Sequence, residues 1–324
     1  MTPLYVITAN GRPITNLIGP ILNSLTITDE TGEQADRLTL RLDDTTGTLE
    51  LPKRGAILTL QLGIGLTLVD FGQYTVDTVT ASGPPNILQI DAHAVPMAGA
   101  GKAQQRKSRS WDGKTMSDIV NTISGENGLE AVVSTDLADI DPGHLDQTDE
   151  SDISFLARLA RDYGAATKAT AGKLAFILRG ASRAASGAKL GTVTLGLSDL
   201  SRWSATFSDV GGYQSTVASY RDLATAQTTD VVVGEGEPVF RLPHVYSSEE
   251  NARRAAKARL DDMQRSAGGK VQLAMPARLD IIAETPLTLT GIRQGVDGAY
   301  VARRVEHTLD RSGLRTTVDG ERAV

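Results

Sequence analysis

Two distant stretches, Gly72-Gln73-Tyr74-Thr75-Val76-Asp77-Thr78-Val79 and Gly298-Ala299-Tyr300-Val301-Ala302-Arg303-Arg304-Val305, share one pattern: Gly-x-Tyr, with a Val five residues after the Tyr. Their flanks agree in the same order. Ile57-Leu58-Thr59-Leu60 precedes the first and Pro286-Leu287-Thr288-Leu289 the second. Ser82-Gly83 and then Ile90-Asp91 follow the first, and Ser312-Gly313 and then Val318-Asp319 follow the second. One such match is at chance level, but four in order predict an internal duplication. Residues 52–92 and 280–320 should then share a strand order, with Tyr74 and Tyr300 in equivalent places.

The residues around the first copy read as short strands. Leu38, Leu40 and Leu42 alternate with Thr39, Arg41 and Asp43, a period of two that means one buried face. Further strands are expected at Ile57–Leu62, Leu66–Val69, Tyr74–Val79 and Ile87–Ile90. The turn clusters Asp43–Gly47, Gly63–Gly65 and Ser82–Asn86 separate them. This spacing predicts a small antiparallel barrel or sandwich over residues 1–97. A second barrel is expected over 191–324, interrupted by a helical insertion at about 245–268.

Residues 98–190 change character and predict an α+β middle region. Residues 98–110 read as an inter-domain loop. Met116, Ile119, Val120 and Ile123 have helical spacing, with Thr115 as N-cap and Asp118 three residues on. A second helix is expected from near Thr148 to Gly164, burying Ile153, Phe155, Leu156, Leu159, Ala160 and Tyr163. Strands Ala165–Ala169 and Leu174–Leu178 should pack on it. A third helix opens at the capping box Ser247–Glu250 and runs to about Arg265. Its apolar side, Ala252, Ala256, Leu260 and Met263, is thin, which places it on an exterior or at a subunit junction.

Composition narrows the function. A length of 324 residues suggests about two domains. The net charge of −6 argues against a dedicated DNA-binding protein, which would carry a basic excess. The absence of cysteine excludes disulfides, thiolate metal sites and a cysteine nucleophile. Aromatic residues make up 4%, too few for an aromatic ligand pocket or a base-stacking surface. No 18-residue apolar run and no leader pattern are visible, so neither membrane insertion nor export is expected.

Each candidate for chemistry has a plainer structural reading. Gly113-Lys114-Thr115 resembles the end of a phosphate-binding loop, but Ser108 stands where the pattern needs Gly. Gly63-Ile64-Gly65 lacks the third Gly of a dinucleotide fingerprint. His93, His144, His244 and His307 are scattered, with no helical zinc spacing. Asp43-Asp44 and Asp261-Asp262 read as solvated charges, and Arg106-Lys107-Ser108-Arg109 as a solvated loop. No Gly-x-Ser-x-Gly elbow is present. No catalytic, cofactor-binding or metal-ligating residue is nominated, and no cofactor is expected. That absence points to a structural protein.

Several stretches resemble the late control protein D family, the baseplate hub of contractile phage tails. They are Ser110-Trp111-Asp112-Gly113-Lys114-Thr115 with Ile119-Val120, then His144 and Gln147, and then Glu150-Ser151-Asp152-Ile153-Ser154-Phe155-Leu156-Ala157-Arg158-Leu159-Ala160. The last also looks like the hub portion of type VI secretion spike proteins. Thr28-Asp29-Glu30, Asp36-Arg37, Asp43-Asp44, Leu51-Pro52-Lys53-Arg54-Gly55 and Gly72–Asp77 are similar to the same family. The resemblance spans about residues 2 to 320.

It implies a fold that is mainly β with α+β insertions: two tube-protein-like antiparallel barrels and a smaller middle region. It also implies a homotrimer whose six barrels form a pseudo-sixfold ring between the tail tube protein and a central spike protein. Other baseplate proteins and a tape measure protein would be neighbours. The chain would be made in the bacterial host cytoplasm and sit in the tail baseplate of a phage or of a tail-like particle such as an R-type bacteriocin. No spike-forming β-helix or lysozyme domain is expected within this chain, and no sequence-specific nucleic-acid binding. Two rivals are a tail-associated peptidoglycan hydrolase and a simple tail tube or spike protein. The hydrolase would need two carboxylates in a cleft, one with a raised pKa. A simple tube subunit would need one barrel, not a duplication.

Overall fold

The computed structural model describes residues 3–31, 36–65, 67–94, 105–170, 172–180, 183–184, 187–207, 212–222 and 225–323. The alternating N-terminal segments form β1 (Pro3–Ala9), β2 (Arg12–Pro13), β3 (Leu22–Glu30), β4 (Arg37–Asp43), β5 (Ile57–Ile64), β6 (Thr67–Ser82) and β7 (Ile87–Ala94). The middle region holds β8 (Arg106–Trp111), β9 (Glu130–Val133), β10 (Leu145–Ser151), β11 (Ala165–Thr170) and β12 (Lys173–Leu178). The remainder holds β13 (Val193–Gly196), β14 (Arg202–Thr206), β15 (Ser215–Arg221), β16 (Thr228–Gly234) and β17 (Val239–Tyr246). It continues with β18 (Lys270–Pro276), β19 (Pro286–Thr290), β20 (Gly298–Asp310) and β21 (Gly313–Arg322). The fold is therefore mainly β with α+β insertions, as expected.

The duplication is written in the hydrogen-bond register. Strand order is β3-β4-β7-β6-β5-β1 in the first half and β14-β18-β21-β20-β19-β13 in the second. Tyr74 faces Leu58 across β5–β6, and Tyr300 faces Leu287 across β19–β20. Both tyrosines are buried. A bulge falls three residues after each, at Asp77 in β6 and at Arg303 in β20, and pairing resumes as Val79 with Ile90 and Val305 with Val318. Beside each bulge the same two backbone bonds recur. Val76 N–H donates to Ala56 and Gly55 N–H to Val76, just as Ala302 N–H donates to Thr285 and Glu284 N–H to Ala302. One pairing breaks the likeness: β1 lies antiparallel to β5, whereas β13 lies parallel to β19. The Ser-Gly match is also not equivalent in register. Ser82 corresponds to Thr308, because β20 and β21 continue pairing to Asp310–Gly313.

The two halves are not two separate closed barrels. β20 pairs along β3, and this joins both halves into one 13-stranded sheet whose pairings, among the described residues, do not close on themselves. The expectation of separate barrels fails because strand signals mark where strands lie, not which edges meet. One apolar cluster, centred on Leu25, Ile27, Leu38, Leu40, Leu60 and Tyr74, lies under the first half and takes in Leu309 of β20. A second, including Leu273, Leu287, Tyr300 and Val318, lies under the other half.

The middle region corrects two expectations. Residues 106–111 form β8, paired with β10, rather than a loop, while residues 98–104 lie outside the described residues. The second helix spans Asp152–Asp162, four residues later than expected, because β10 carries the chain through Ser151. Ser151 is the N-cap and accepts from Ser154 N–H at 3.2 Å. The first helix, Met116–Glu126, has its expected capping box. Phe155, Leu156, Leu159 and Ala160 are buried with Met116, Ile119, Val120 and Phe176, so both apolar stripes face one core.

Between β14 and β18 the chain makes a long excursion. β15, β16 and β17 form their own three-stranded sheet, covered by the helix Glu249–Ala267. Ala252 and Ala256 pack on Ala218 and Val231. The helix N-cap is Ser248, which accepts from Asn251 N–H at 3.2 Å, one residue beyond the expected Ser247. Ser247 instead donates to the Pro142 carbonyl at 3.2 Å, which ties the excursion to the middle region.

Candidate functional site

The seam between β20 and β3 joins the two halves. Alternation puts Leu25, Ile27, His307 and Leu309 on the covered face and Thr26, Thr28 and Thr308 on the other. Thr26 and Thr308 are opposite each other, with hydroxyl oxygens 3.4 Å apart. At the far end Arg304 pairs with Glu30 at 3.4 Å, and Thr31 N–H donates to the Arg303 carbonyl at 2.9 Å. His307 is fully buried and contacts the Thr316 hydroxyl through Nδ1 at 3.0 Å. Burial disfavours its charged form and pulls its pKa down to about 4, so it is neutral at pH 7.

Near this seam, three parts of the chain meet around one ammonium. Lys168 of β11 donates to Asp29 of β3 and lies 2.6 Å from Asp36, which precedes β4. Asp29 also accepts from Ala283 N–H, just before β19, at 2.9 Å. Burial works against the charge on Lys168, but Asp29 and Asp36 outweigh it and hold the pKa above the ordinary lysine range. Burial, and then the Asp29 charge, raise Asp36 to about 7. One ammonium thus holds two carboxylates, and Asp29 has the added backbone donor. Asp29, Asp36, Lys168 and Glu284 line a cavity of about 390 Å³ whose remaining wall is mostly apolar, with Phe71 and Ile177. Burial raises Glu284, which accepts from Gly180 N–H at 3.0 Å.

In the basic run 106–109, Lys107 and Arg109 join an ion network around a buried carboxylate, while exposed Arg106 pairs with Asp149 at 2.9 Å. Asp152, fully buried, accepts from Lys107 at 2.6 Å, Arg109 at 2.8 Å, Gln147 at 3.0 Å and Asn127 at 3.1 Å. Burial pushes its pKa up, but the bonds from Gln147, Lys107 and Asn127 and the Arg109 charge outweigh that and hold it below the ordinary value. Glu126 closes the network on Lys107 and Arg109. Arg109 lies 4.4 Å over the Trp111 ring, which stacks on Phe155. The Gln147 and Glu-Ser-Asp residues of the family-like stretch therefore fasten β8, β10 and two helices together.

The other sequence candidates take structural places. Gly113 has φ +57° in a turn, and Thr115 caps a helix. Gly63 and Gly65 make the β5–β6 hairpin. A Cβ on Gly63 would lie 2.0 Å from the Thr67 carbonyl oxygen, and Gly65 has φ +69°. Asp43 and Asp44 accept backbone N–H groups within their turn. Asp261 pairs with Lys257, and Asp262 with Arg259 and with Arg179 of the middle region. His93 meets Asp77 at 2.6 Å. Exposed His144 contacts Asp112 at 2.5 Å and Asp146 at 3.3 Å, and these bonds raise its pKa. His244 lies on β17. The four histidines are not brought together, and no three His, Cys, Asp or Glu side chains form a metal-sized group among the described residues.

What this arrangement offers is edges. Among the described residues β14 pairs only with β18, and Thr78–Ser82 of β6 pairs only with β7. Both stretches present a row of backbone groups open on one side, which can template pairing with another strand.

The chain matches the model of the phage tail baseplate hub family over residues 91–313. It is 33% identical to the probable baseplate hub protein of Escherichia phage 186, over 99% of this chain and 93% of that protein. Its fold resembles the 43 kDa tail protein of prophage MuSo2 from Shewanella oneidensis, with a TM-score of 0.72 at 16% identity, covering 98% of each chain. It also resembles an E. coli component of the type VI secretion system described as similar to bacteriophage T4 tail proteins. That match has a TM-score of 0.58 at 11% identity, over 94% of this chain and 74% of the other.

Proposed function

The chain belongs to the phage tail baseplate hub family, a structural part of the virion tail baseplate, and on that premise we propose that three copies close a ring between the tail tube and the spike. One observation carries the reading: two half-sheets with the same strand order, bulge and buried tyrosine are joined edge to edge within one chain. Three such chains present six near-equivalent units to a sixfold tube, while remaining threefold toward a spike. Cyclic closure gives every copy the same head-to-tail contact and leaves no free edge. In this reading residues 1–97 and 191–324 build the ring. Residues 98–190 and the helix Glu249–Ala267 decorate it with threefold symmetry.

The partners proposed are the tail tube protein, a central spike protein, other baseplate proteins and the tape measure protein. The hub acts without catalysis, cofactor, membrane insertion or sequence-specific nucleic-acid binding. Its mechanical task is to carry load from tube to spike during sheath contraction. No helix among the described residues is long and apolar enough to cross a membrane. Asp36, whose pKa is raised, and Asp29 both bind the one Lys168 ammonium at the cavity wall, and this shared ion pairing favours a structural role over that of a hydrolytic pair.

Native mass measurement of the concentrated chain tests the ring. A three-chain species is expected, and a single chain at every concentration would overturn it. A cell-wall clearing assay tests the non-enzymatic reading, with no clearing expected.

A further inference from the structure

The chain contains its own template for how copies join. Within one molecule β20 of the second half pairs with β3 of the first, over Arg304–Asp310 and Ser24–Glu30. The duplication says which residues stand in the same places on the opposite edges. In the first half, Leu25 faces Leu40, and Leu40 faces Ile90. In the second, Trp203 faces Leu273, and Leu273 faces Val318. Ile90 and Val318 are equivalent through Val79 and Val305, so Leu25 corresponds to Trp203 and Thr26 to Ser204. By the same register, Glu306 corresponds to Thr80 and Thr308 to Ser82. The edges equivalent to the internal seam therefore include Thr78–Ser82 and Arg202–Thr206, two stretches that pair on one side only among the described residues.

Resting on the ring reading, we infer that Thr80–Gly83 of one copy pairs antiparallel with Trp203–Thr206 of the next. Ser82 lies opposite Ser204 and Thr80 opposite Thr206.

The chemistry of the two edges supports this occupant. Edge strands of free-standing proteins are guarded by charges, prolines or bulges, because an open edge recruits other strands. Over the paired positions, Thr80-Ala81-Ser82-Gly83 and Trp203-Ser204-Ala205-Thr206 carry no charge and no proline, and Arg202 and Pro84 bound the seam at one end. The facing side chains also fit. On the covered face of the internal seam Leu25 meets Leu309 and Ile27 meets His307. In the external seam the large Trp203 falls opposite Gly83, and Ala205 opposite Ala81. On the polar face, Ser204 and Ser82 stand where the Thr26 and Thr308 hydroxyls lie 3.4 Å apart. Each copy then has one internal and one external seam of the same register, which alternate around the ring.

The chain has no native cysteine, so engineered pairs report without background. The variant pair T26C/T308C serves as the internal standard. Under mild oxidation it should lose both free thiols while the chain keeps its single-chain mass on a non-reducing gel. S82C/S204C should convert to covalent three-chain species to a similar extent, as should T80C/T206C. S82C alone mixed with S204C alone should give two-chain species only. Unchanged melting of each reduced variant shows that the fold is kept. If the chain is three-copy by native mass and T26C/T308C closes, yet neither external pair cross-links, the seam is wrong and the ring stands. If the wild-type chain never forms a three-copy species, the ring reading fails and the seam falls with it.

Discussion

The two half-sheets share a frame and differ most at one connection. In the first half β3 passes to β4 across only residues 31–36, and in the second β14 passes to β18 across residues 207–269. Both connections grip the middle region, by opposite means. The short one does so with charge, Asp29 and Asp36 on either side of Lys168. The long one does so with a folded excursion. Its Ser247 and Asn251 bond to the carbonyls of Pro142 and Asp141, and its Asp262 pairs with Arg179. A duplicated frame keeps its register because every strand is paired. The hairpin connections are free to diverge, because they carry no ladder.

The strongest way to break this comparison is at the paired tyrosines. Tyr74→Ala and Tyr300→Ala should each cost about 3–5 kcal/mol by urea unfolding, since each removes a buried ring. A much smaller cost at one of them would show that the two cores are not equivalent. Lys168→Met tests the charge-based grip alone. Leaving Asp29 and Asp36 facing each other unpaired should cost about 3–5 kcal/mol at pH 8. Replacing both aspartates by asparagine in the same variant should recover most of that loss.

Next comes pH. His307 has a lowered pKa, so between about 6.5 and about 4 the unfolded chain binds more protons than the folded one. Stability should fall as pH falls through that window, by roughly 3 kcal/mol in all. Asp36 works in the opposite sense. Its raised pKa means that the folded chain holds the extra proton between about 3.8 and about 7, and stability declines as pH rises there. Comparing wild type with His307→Gln across pH 4–7 isolates the histidine, and parallel curves would refute its assignment. The smallest effect separates the two tyrosines themselves. The Tyr300 hydroxyl donates to the Val296 carbonyl at 2.7 Å, so Tyr300→Phe should cost about 1 kcal/mol. Tyr74→Phe should cost less.

Much of the frame was legible before any coordinates. The Gly-x-Tyr repeat, the Leu38–Leu42 alternation, the Thr115 cap and the Ile119–Ile123 stripe all depend on residues within a few positions of one another, and local geometry reads them directly. The charge clusters were not legible in this way. Asp29 and Lys168 are 139 positions apart, and each alone reads as a solvated side chain. Only the family-like stretches containing Asp29, Asp36, Gln147 and Asp152 marked those residues at all, without their partners.

By itself the sequence determined the alternation of the strands around the first copy, the Gly-x-Tyr repeat shared by both halves, and the absence of thiol chemistry. The tertiary structure alone decided that the halves form one sheet rather than two barrels, because edge pairing between Thr26 and Thr308 leaves no periodic trace along the chain. It also decided that the helix after β10 starts at Asp152, since a backbone already paired to β8 cannot turn into a helix, whatever its propensity. And it brought Lys107 and Arg109 onto Asp152. A charge run looks the same in sequence whether it faces water or a buried carboxylate, and only the fold chooses between them.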